Sequence, residues 1–242
     1  MLKKMLKKIV YGKKYSSEAY INHLRKIGVK IGEDCTIYSP KNTIIDEQYP
    51  WLISIGNHVR ITEGVILLTH DYSWSVLKRY DGNGINGEIL GASGPIDIGN
   101  NVFIGMNTII LRNVKIGNNV IIGVGSIVTK DCESNWVYAG NPARKIMTTN
   151  EFYKKRKVAQ LEEARQLAIA YKNRYGKIPP KEIFHEFFML FTTPNSLEQV
   201  FIDKMKLCNN FEESMKYIES NSPLFSSYET FIEYCFQNGK GV

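Results

Sequence analysis

Four histidines occur in this 242-residue chain, and one of them, His70, stands where regular patterning stops. It lies in LLTHDYSW (67–74), at the mouth of an irregular segment whose aromatic residues are Tyr72, Trp74 and Tyr80. Imidazole has an unperturbed pKa of about 6.5, so a histidine placed at a loop mouth can take a proton at neutral pH. His23 and His185 fall in helical patterns, and His58 lies within a repeat. Cys35, Cys132, Cys208 and Cys235 are widely spaced and form no CxxC pair. That argues against a metal or disulfide framework and for a reducing compartment.

The element that must position His70 is a coil. From Ile96 to Met147 a large aliphatic residue returns every sixth position, at Ile98, Ile104, Ile110, Ile116, Ile122 and Val128. Four residues after each stands a compact one: Val102, Thr108, Val114, Val120, Ser126 and Cys132. A period of six fits neither an amphipathic helix nor a flat strand. It fits a parallel β-helix whose short sides each point one large and one small residue inward. The same phase holds earlier, at Ile31, Ile37, Ile55, Ile61 and Leu67, with Thr43 and Tyr49 as imperfect members. The coil is therefore expected over residues 29–133, in roughly four to five turns. Gly99, Gly105, Gly117 and Gly123 directly follow four of the aliphatics and suit its corners.

The spacing from Leu67 to Ile98 is not a multiple of six, so a loop is inserted over 71–95. A loop of that length is usually functional or disordered, and its aromatic residues favour function. Tyr72, Trp74 and Tyr80 can cover a sugar ring or pin the loop onto its neighbour. Residues 1–28 read as two short helices, the second capped by Ser16 or Ser17 and ended by Gly28. In the first, Leu2, Met5, Leu6, Ile9 and Val10 share one face opposite Lys3, Lys4, Lys7 and Lys8. Such a helix can plug the open end of the coil or lie on an anionic bilayer. After Met147 the period changes to 3.6. A long helix capped by Thr149 or Asn150 is expected to run to Tyr175 and close at Gly176. Shorter helices are expected near 181–191, 196–207, 211–219 and 226–237, with Phe184, Phe187, Phe188 and Phe191 as core.

The formal charge of +7 points to anionic partners. A nucleic acid fits poorly, because the basic residues concentrate at the N-terminus and in the 154–157 run, not along an aromatic stripe. No apolar run approaches membrane-spanning length. Lys7 and Lys8 interrupt any signal-peptide core, so a cytoplasmic location is expected.

LLTHDYSW (67–74), IGNNVFIGMNTII (98–110), KIGNNVIIGVGSIVTKD (115–131) and YAGNPARKI (138–146) together resemble the hexapeptide-repeat acyltransferases. Within them the chain is most similar to sugar O-acetyltransferases related to the galactoside and maltose enzymes, including those that decorate capsule and O-antigen sugars. The resemblance covers residues 29–147 and implies a left-handed parallel β-helix, a homotrimer and acetyl-CoA as donor. It divides the chain into an N-terminal helical segment (1–28), an acyltransferase domain (29–147) and an α-helical C-terminal domain (148–242). It makes His70 the general base that deprotonates a sugar hydroxyl during direct attack on the thioester. Asp71 and Glu63 are both candidates for the carboxylate that orients it. By the same resemblance the pantetheine arm passes Gly105, Met106, Gly123 and Val124, with Thr129 and Lys130 beyond. Lys130 and Arg144 would face the phosphates.

The chain departs from the family at Phe103, where many relatives have tryptophan, and at Met106, which is bulkier than usual. Cys132-Glu133 replaces the more common Ile-Pro. These changes bear on the acceptor rather than the donor. N-acetylation of an amino sugar uses the same base, and a non-enzymatic binding solenoid is the contrasting reading. A γ-type carbonic anhydrase needs three zinc-binding histidines, whereas only His58 and His70 lie in the coil.

Overall fold

The computed structural model describes residues 2–80 and 87–237, with side chains from Leu6 onward. The apolar side chains of Leu2 and Met5, the lysines Lys3 and Lys4, and positions 81–86 of the inserted loop lie outside the described residues. The chain forms two compact units, residues 1–152 and 153–242.

The first unit opens with α1 (Leu2–Tyr11) and α2 (Ser17–Ile27), joined by a 3-10 turn at Gly12–Lys14. Ser16 caps α2 by accepting from the Ala19 N–H at 3.2 Å, and Gly28 ends it with φ at 114°. Tyr20, Ile21 and Leu24 are buried in the core of the coil, so the plug is α2. Helix α1 does not fill that place, since Leu6, Ile9 and Val10 remain exposed. The reason is connectivity: α2 leads directly through Val29 into the first strand and folds back over the open end.

The coil makes four complete turns of three strands. They are β1 (Lys30–Ile31), β2 (Thr36–Ile37) and β3 (Ile44–Ile45); β4 (Ile53–Ile55), β5 (Val59–Ile61) and β6 (Ile66–Leu68); β7 (Ile96–Ile98), β8 (Val102–Ile104) and β9 (Ile109–Leu111); and β10 (Val114–Ile116), β11 (Val120–Ile122) and β12 (Ile127–Val128). Strands stack in parallel on three faces: β1-β4-β7-β10, β2-β5-β8-β11 and β3-β6-β9-β12. This is a left-handed parallel β-helix. The loop, which holds the short helix α3 (Trp74–Leu77), does not disturb the stacking, because β7 resumes directly on β4 with Ile53 opposite Ile96. The antiparallel pair β13 (Trp136–Ala139) and β14 (Arg144–Thr148) extends the second face beyond β11.

All six periodic aliphatics point inward, each 4% exposed or less, and the compact residues are buried with them. Buried hydroxyls are paired locally, Ser126 to the Gly123 carbonyl at 2.7 Å and Thr108 to the same carbonyl at 3.2 Å. The exteriors of the faces differ. The first face carries Lys30, Ser54, Asp97 and Lys115, whereas the third carries Ile44, Ile66, Leu68, Ile109, Leu111 and Ile127.

The repeat glycines have a different job from the one expected. Along one edge the left-handed corner residues are Asp34, His58, Asn101, Asn119 and Asn135, with φ between 54° and 66°. Asparagine tolerates this region. Its amide also pairs from turn to turn, Asn101 to Asn119 and Asn119 to Asn135, each at 2.8 Å. The glycines sit where successive turns touch. A Cβ on Gly99 would stand 2.7 Å from the Gly117 carbonyl oxygen and 2.7 Å from Asn118 Oδ1.

In the second unit α4 (Thr149–Tyr175, beginning at the end of the first unit) closes at Gly176, where φ is 66°. Its cap is Thr148, one residue before the expected position: Thr148 Oγ1 accepts from the Glu151 N–H at 3.1 Å and Glu151 returns the bond. The expected helix over 181–191 is absent. Two 3-10 turns, Lys181–Phe184 and Phe188–Leu190, replace it. Breaking the helix sends neighbouring phenylalanines to different partners, Phe184 edge-on to Phe231 and Phe188 stacked on Phe201. Helices α5 (Gln199–Met205), α6 (Phe211–Ser220) and α7 (Tyr228–Phe236) complete this unit.

Gly99→Ala is expected to lower stability by about 1–3 kcal/mol, because a rigid backbone must move aside. Gly91→Ala, with no atom within 4 Å of the added carbon, should change it by less than about 0.5 kcal/mol. Urea unfolding of both variants checks the contrast.

Candidate active site

His70 sits at the edge between the third and first faces, where β6 ends and the loop departs. The loop's stem is pinned there. The backbones of His70 and Ser93 bridge antiparallel, Asp71 N–H donates to Ala92 O at 3.1 Å, and Gly94 N–H donates to Thr69 O at 2.8 Å.

The group that orients the imidazole is Asp46. Its Oδ2 accepts from His70 Nδ1 at 2.5 Å and from the Thr69 N–H at 3.1 Å, and it also takes the Thr69 hydroxyl. Oδ1 accepts from the Gln48 N–H at 2.9 Å. Burial by itself would raise this carboxyl's pKa. The bonds from the Thr69 hydroxyl, Gln48, His70 and the Thr69 N–H outweigh it and hold the pKa below the ordinary value. A carboxylate accepting at Nδ1 keeps the neutral ring's proton there and leaves Nε2 as the basic nitrogen. Tyr49 meets the imidazole edge-on at 5.6 Å and rests against Trp51, which fixes the ring's plane.

Neither carboxylate expected for this task performs it. Asp71 accepts from the Ser73 hydroxyl and N–H and from Arg112 Nε at 3.0 Å, which pull its pKa down to about 2. It secures the loop base. Glu63 accepts from the Asn42 side-chain amide. Asp46 escaped notice because Thr43 and Tyr49 break the repeat around it. Register supplies the missing signal: Ile45 pairs with Leu67, so Asp46 lies on the turn below, at the same edge as His70.

A cleft of about 460 Å³ opens beside His70 and Asp46, lined also by Lys13, Lys14, Tyr20 and Leu68. Lys14 Nζ donates to Thr43 O at 2.8 Å and lies 4.9 Å from the centre of the Tyr20 ring. Partial burial lowers its pKa. Lys13 and His23 both meet Glu47. Sequence reasoning missed this basic wall. The larger cleft of the second unit, about 590 Å³, is lined by Tyr153, Arg156, Lys157 and Phe187, among others, with no histidine or cysteine.

The other residues singled out fall into separate groups. Gly105 and Met106 lie at the edge between the second and third faces, with Gly123 and Val124 one turn above. Gly105 N–H donates to Ile122 O at 2.9 Å, and Gly125 N–H to Met106 O at 2.8 Å. A Cβ on Gly105 would stand 2.6 Å from Val124 N, so this strip is bare backbone flanked by the exposed side chains of Met106 and Val124. Thr129 and Lys130 are exposed at the edge that carries His70, two turns higher. Arg144 is exposed at the start of β14. Tyr72 and Trp74 pack on each other at 4.7 Å, and Tyr80 is exposed. Among the described residues no group of three or more His, Cys, Asp or Glu could hold a metal ion.

The model of the bacterial transferase hexapeptide family (six repeats) matches residues 95–130. Protein CapG of Staphylococcus aureus is 49% identical over 130 residues, which are 53% of this chain and 71% of that protein. The chain belongs to the hexapeptide-repeat acyltransferases. Among solved structures, a hexapeptide-repeat-containing acetyltransferase of Vibrio cholerae is similar over 60% of this chain and 88% of its own, at 19% identity and a TM-score of 0.43. Galactoside acetyltransferase, in complex with coenzyme A, is similar over 63% and 83%, at 29% identity and a TM-score of 0.41.

The carboxylate of this hexapeptide-repeat acyltransferase stabilises the fold as well as orienting the ring. Its folded pKa is depressed, so its contribution is full above the unfolded value and is lost as pH falls through the folded one. Asp46→Asn is expected to cost about 1–3 kcal/mol at neutral pH. The gap to wild type should close below about pH 4. Urea midpoints of both proteins between neutral and acid pH test this.

Proposed function

We propose that residues 29–147 carry an acetyl-CoA-dependent O-acetyltransferase acting on a sugar of a surface-polysaccharide precursor. The observation that carries this reading is the Asp46–His70 pair, set at a loop stem on a hexapeptide coil beside an open cleft. His70 Nε2 takes the proton of an acceptor hydroxyl as its oxygen attacks the acetyl carbonyl. Asp46 stabilises the imidazolium formed. Collapse of the tetrahedral intermediate breaks the C–S bond, and the proton leaves with the thiolate of CoA. No acyl-enzyme is needed.

The donor runs along the bare strip at Gly105 and Gly123, between Met106 and Val124. Thr129 and Lys130 of the protomer that supplies His70 line its other side, two turns above that histidine, and Lys130 and Arg144 meet its phosphates. Tyr72, Trp74 and Tyr80 face the acceptor. This assignment requires more than one copy, because His70 and the Gly105–Val124 strip flank opposite edges of the third face. That face is also the one whose exterior is aliphatic. In a homotrimer closed through it, the His70 edge of one protomer meets the strip of its neighbour. No described helix is long and apolar enough to cross a membrane. We place the enzyme in the cytoplasm, where acetyl-CoA is available, at the inner membrane face where glycan precursors are built on lipid.

Thiol release from acetyl-CoA across a panel of sugars, amino sugars and lipid-linked glycans tests the reading. His70→Ala should lose about 10²–10⁴-fold in kcat with its assembly state unchanged. Activity only on amino sugars would make it an N-acetyltransferase, and none on any acceptor would leave a binding solenoid. Lys130→Ala and Arg144→Ala should raise KM for acetyl-CoA while sparing kcat. Mixing inactive His70→Ala protomers with inactive Gly123→Trp protomers should restore part of the activity, since some mixed interfaces carry neither lesion.

A further inference from the structure

Helix α1 carries an apolar side that the fold leaves without a task. Leu6, Ile9 and Val10 are 59%, 76% and 65% exposed, three aliphatics on one side of a ten-residue helix. Lys7 and Lys8 are exposed on the other. Tyr11 also lies on the basic side, and its ring takes Lys41 Nζ at 5.8 Å from its centre. The contact to Lys41 is thus made on the basic side, and the aliphatic side is left uncovered. The plug of the coil is α2, and none of the described side chains of α1 belongs to the first unit's core.

We infer that α1 seats the enzyme on an anionic bilayer, with Leu6, Ile9 and Val10 among the acyl chains and the lysines at the headgroups. Charge complementarity selects this occupant. Lys3, Lys4, Lys7 and Lys8 and no acidic residue lie within the helix, so a second α1 laid against the first would be repelled, whereas anionic headgroups are attracted.

The seat also orients the site. Gly12–Lys14 follows α1 at once, and Lys13 and Lys14 form a wall of the cleft beside His70. Lys14 is tied to Thr43 O, and Lys13 to Glu47, so the junction is held to the coil. A bilayer under α1 therefore lies next to the cleft mouth. The acceptor class is a glycan carried on a membrane lipid. This last step rests on the acetyltransferase reading, whereas the seat itself does not.

Flotation of the full chain with vesicles tests it. Wild type should float with mixed phosphatidylcholine–phosphatidylglycerol vesicles and stay behind with phosphatidylcholine alone. Ile9→Glu should weaken binding about tenfold or more, Lys7→Gln and Lys8→Gln about fivefold each, and high salt should release the protein. His70→Ala should float like wild type. Ile9→Glu should keep thiol release with a water-soluble acceptor but lose it with the same glycan on vesicle lipid. Wild type that ignores anionic vesicles, or Ile9→Glu that floats equally well, overturns the seat. So does a change of oligomeric mass in Ile9→Glu, which would show that a second copy covers the face. If no acceptor is acetylated while flotation holds, the proposed activity fails and the seat stands.

Discussion

Close stacking of successive turns is the constraint on which this molecule rests. Strands lie about 4.8 Å apart along a sheet. At that spacing a Gly99 Cβ would intrude on Gly117, and a Gly105 Cβ on Val124 N. Stacking imposes the period of six, because each side must send the same kinds of residue inward on every turn. It also aligns edges. A group on one turn finds its partner on the next, however far off in sequence.

The Asp46–His70 pair is a product of that alignment. Asp46 and His70 are twenty-four residues apart. They meet because β3 lies under β6 and both chains turn at one edge. The same edge releases the long loop without cost to the stack, since β7 returns to its place on β4. An insertion there grows outward and leaves the interior unchanged. A loop at such a point can vary while the scaffold stays constant.

Charge is used sparingly and locally around the cleft. Asp46 is buried but satisfied by four donors, which is why it can stay ionised there. Asp71, one residue after the histidine, is committed to Ser73 and Arg112 and serves as an anchor. Adjacency in sequence is a poor guide here because Asp71 already belongs to the loop stem, where its N–H donates to Ala92 O.

The periodic residues by themselves determined the coil, its inward-facing side chains, the loop's place and His70 at its mouth. Each of these is a repeat or a break in a repeat, and a repeat is legible wherever a stacked side must be filled alike on every turn. Gly28, Ser16 and Gly176 likewise marked helix ends through local backbone preference alone. The tertiary structure alone decided that Asp46 orients the histidine, that α2 and not α1 closes the coil, and that phenylalanines 184 and 188 part company. Those outcomes depend on which of several chemically suitable groups comes within reach once the turns are stacked. Registry between turns, and competition for one buried place, are properties of the folded whole.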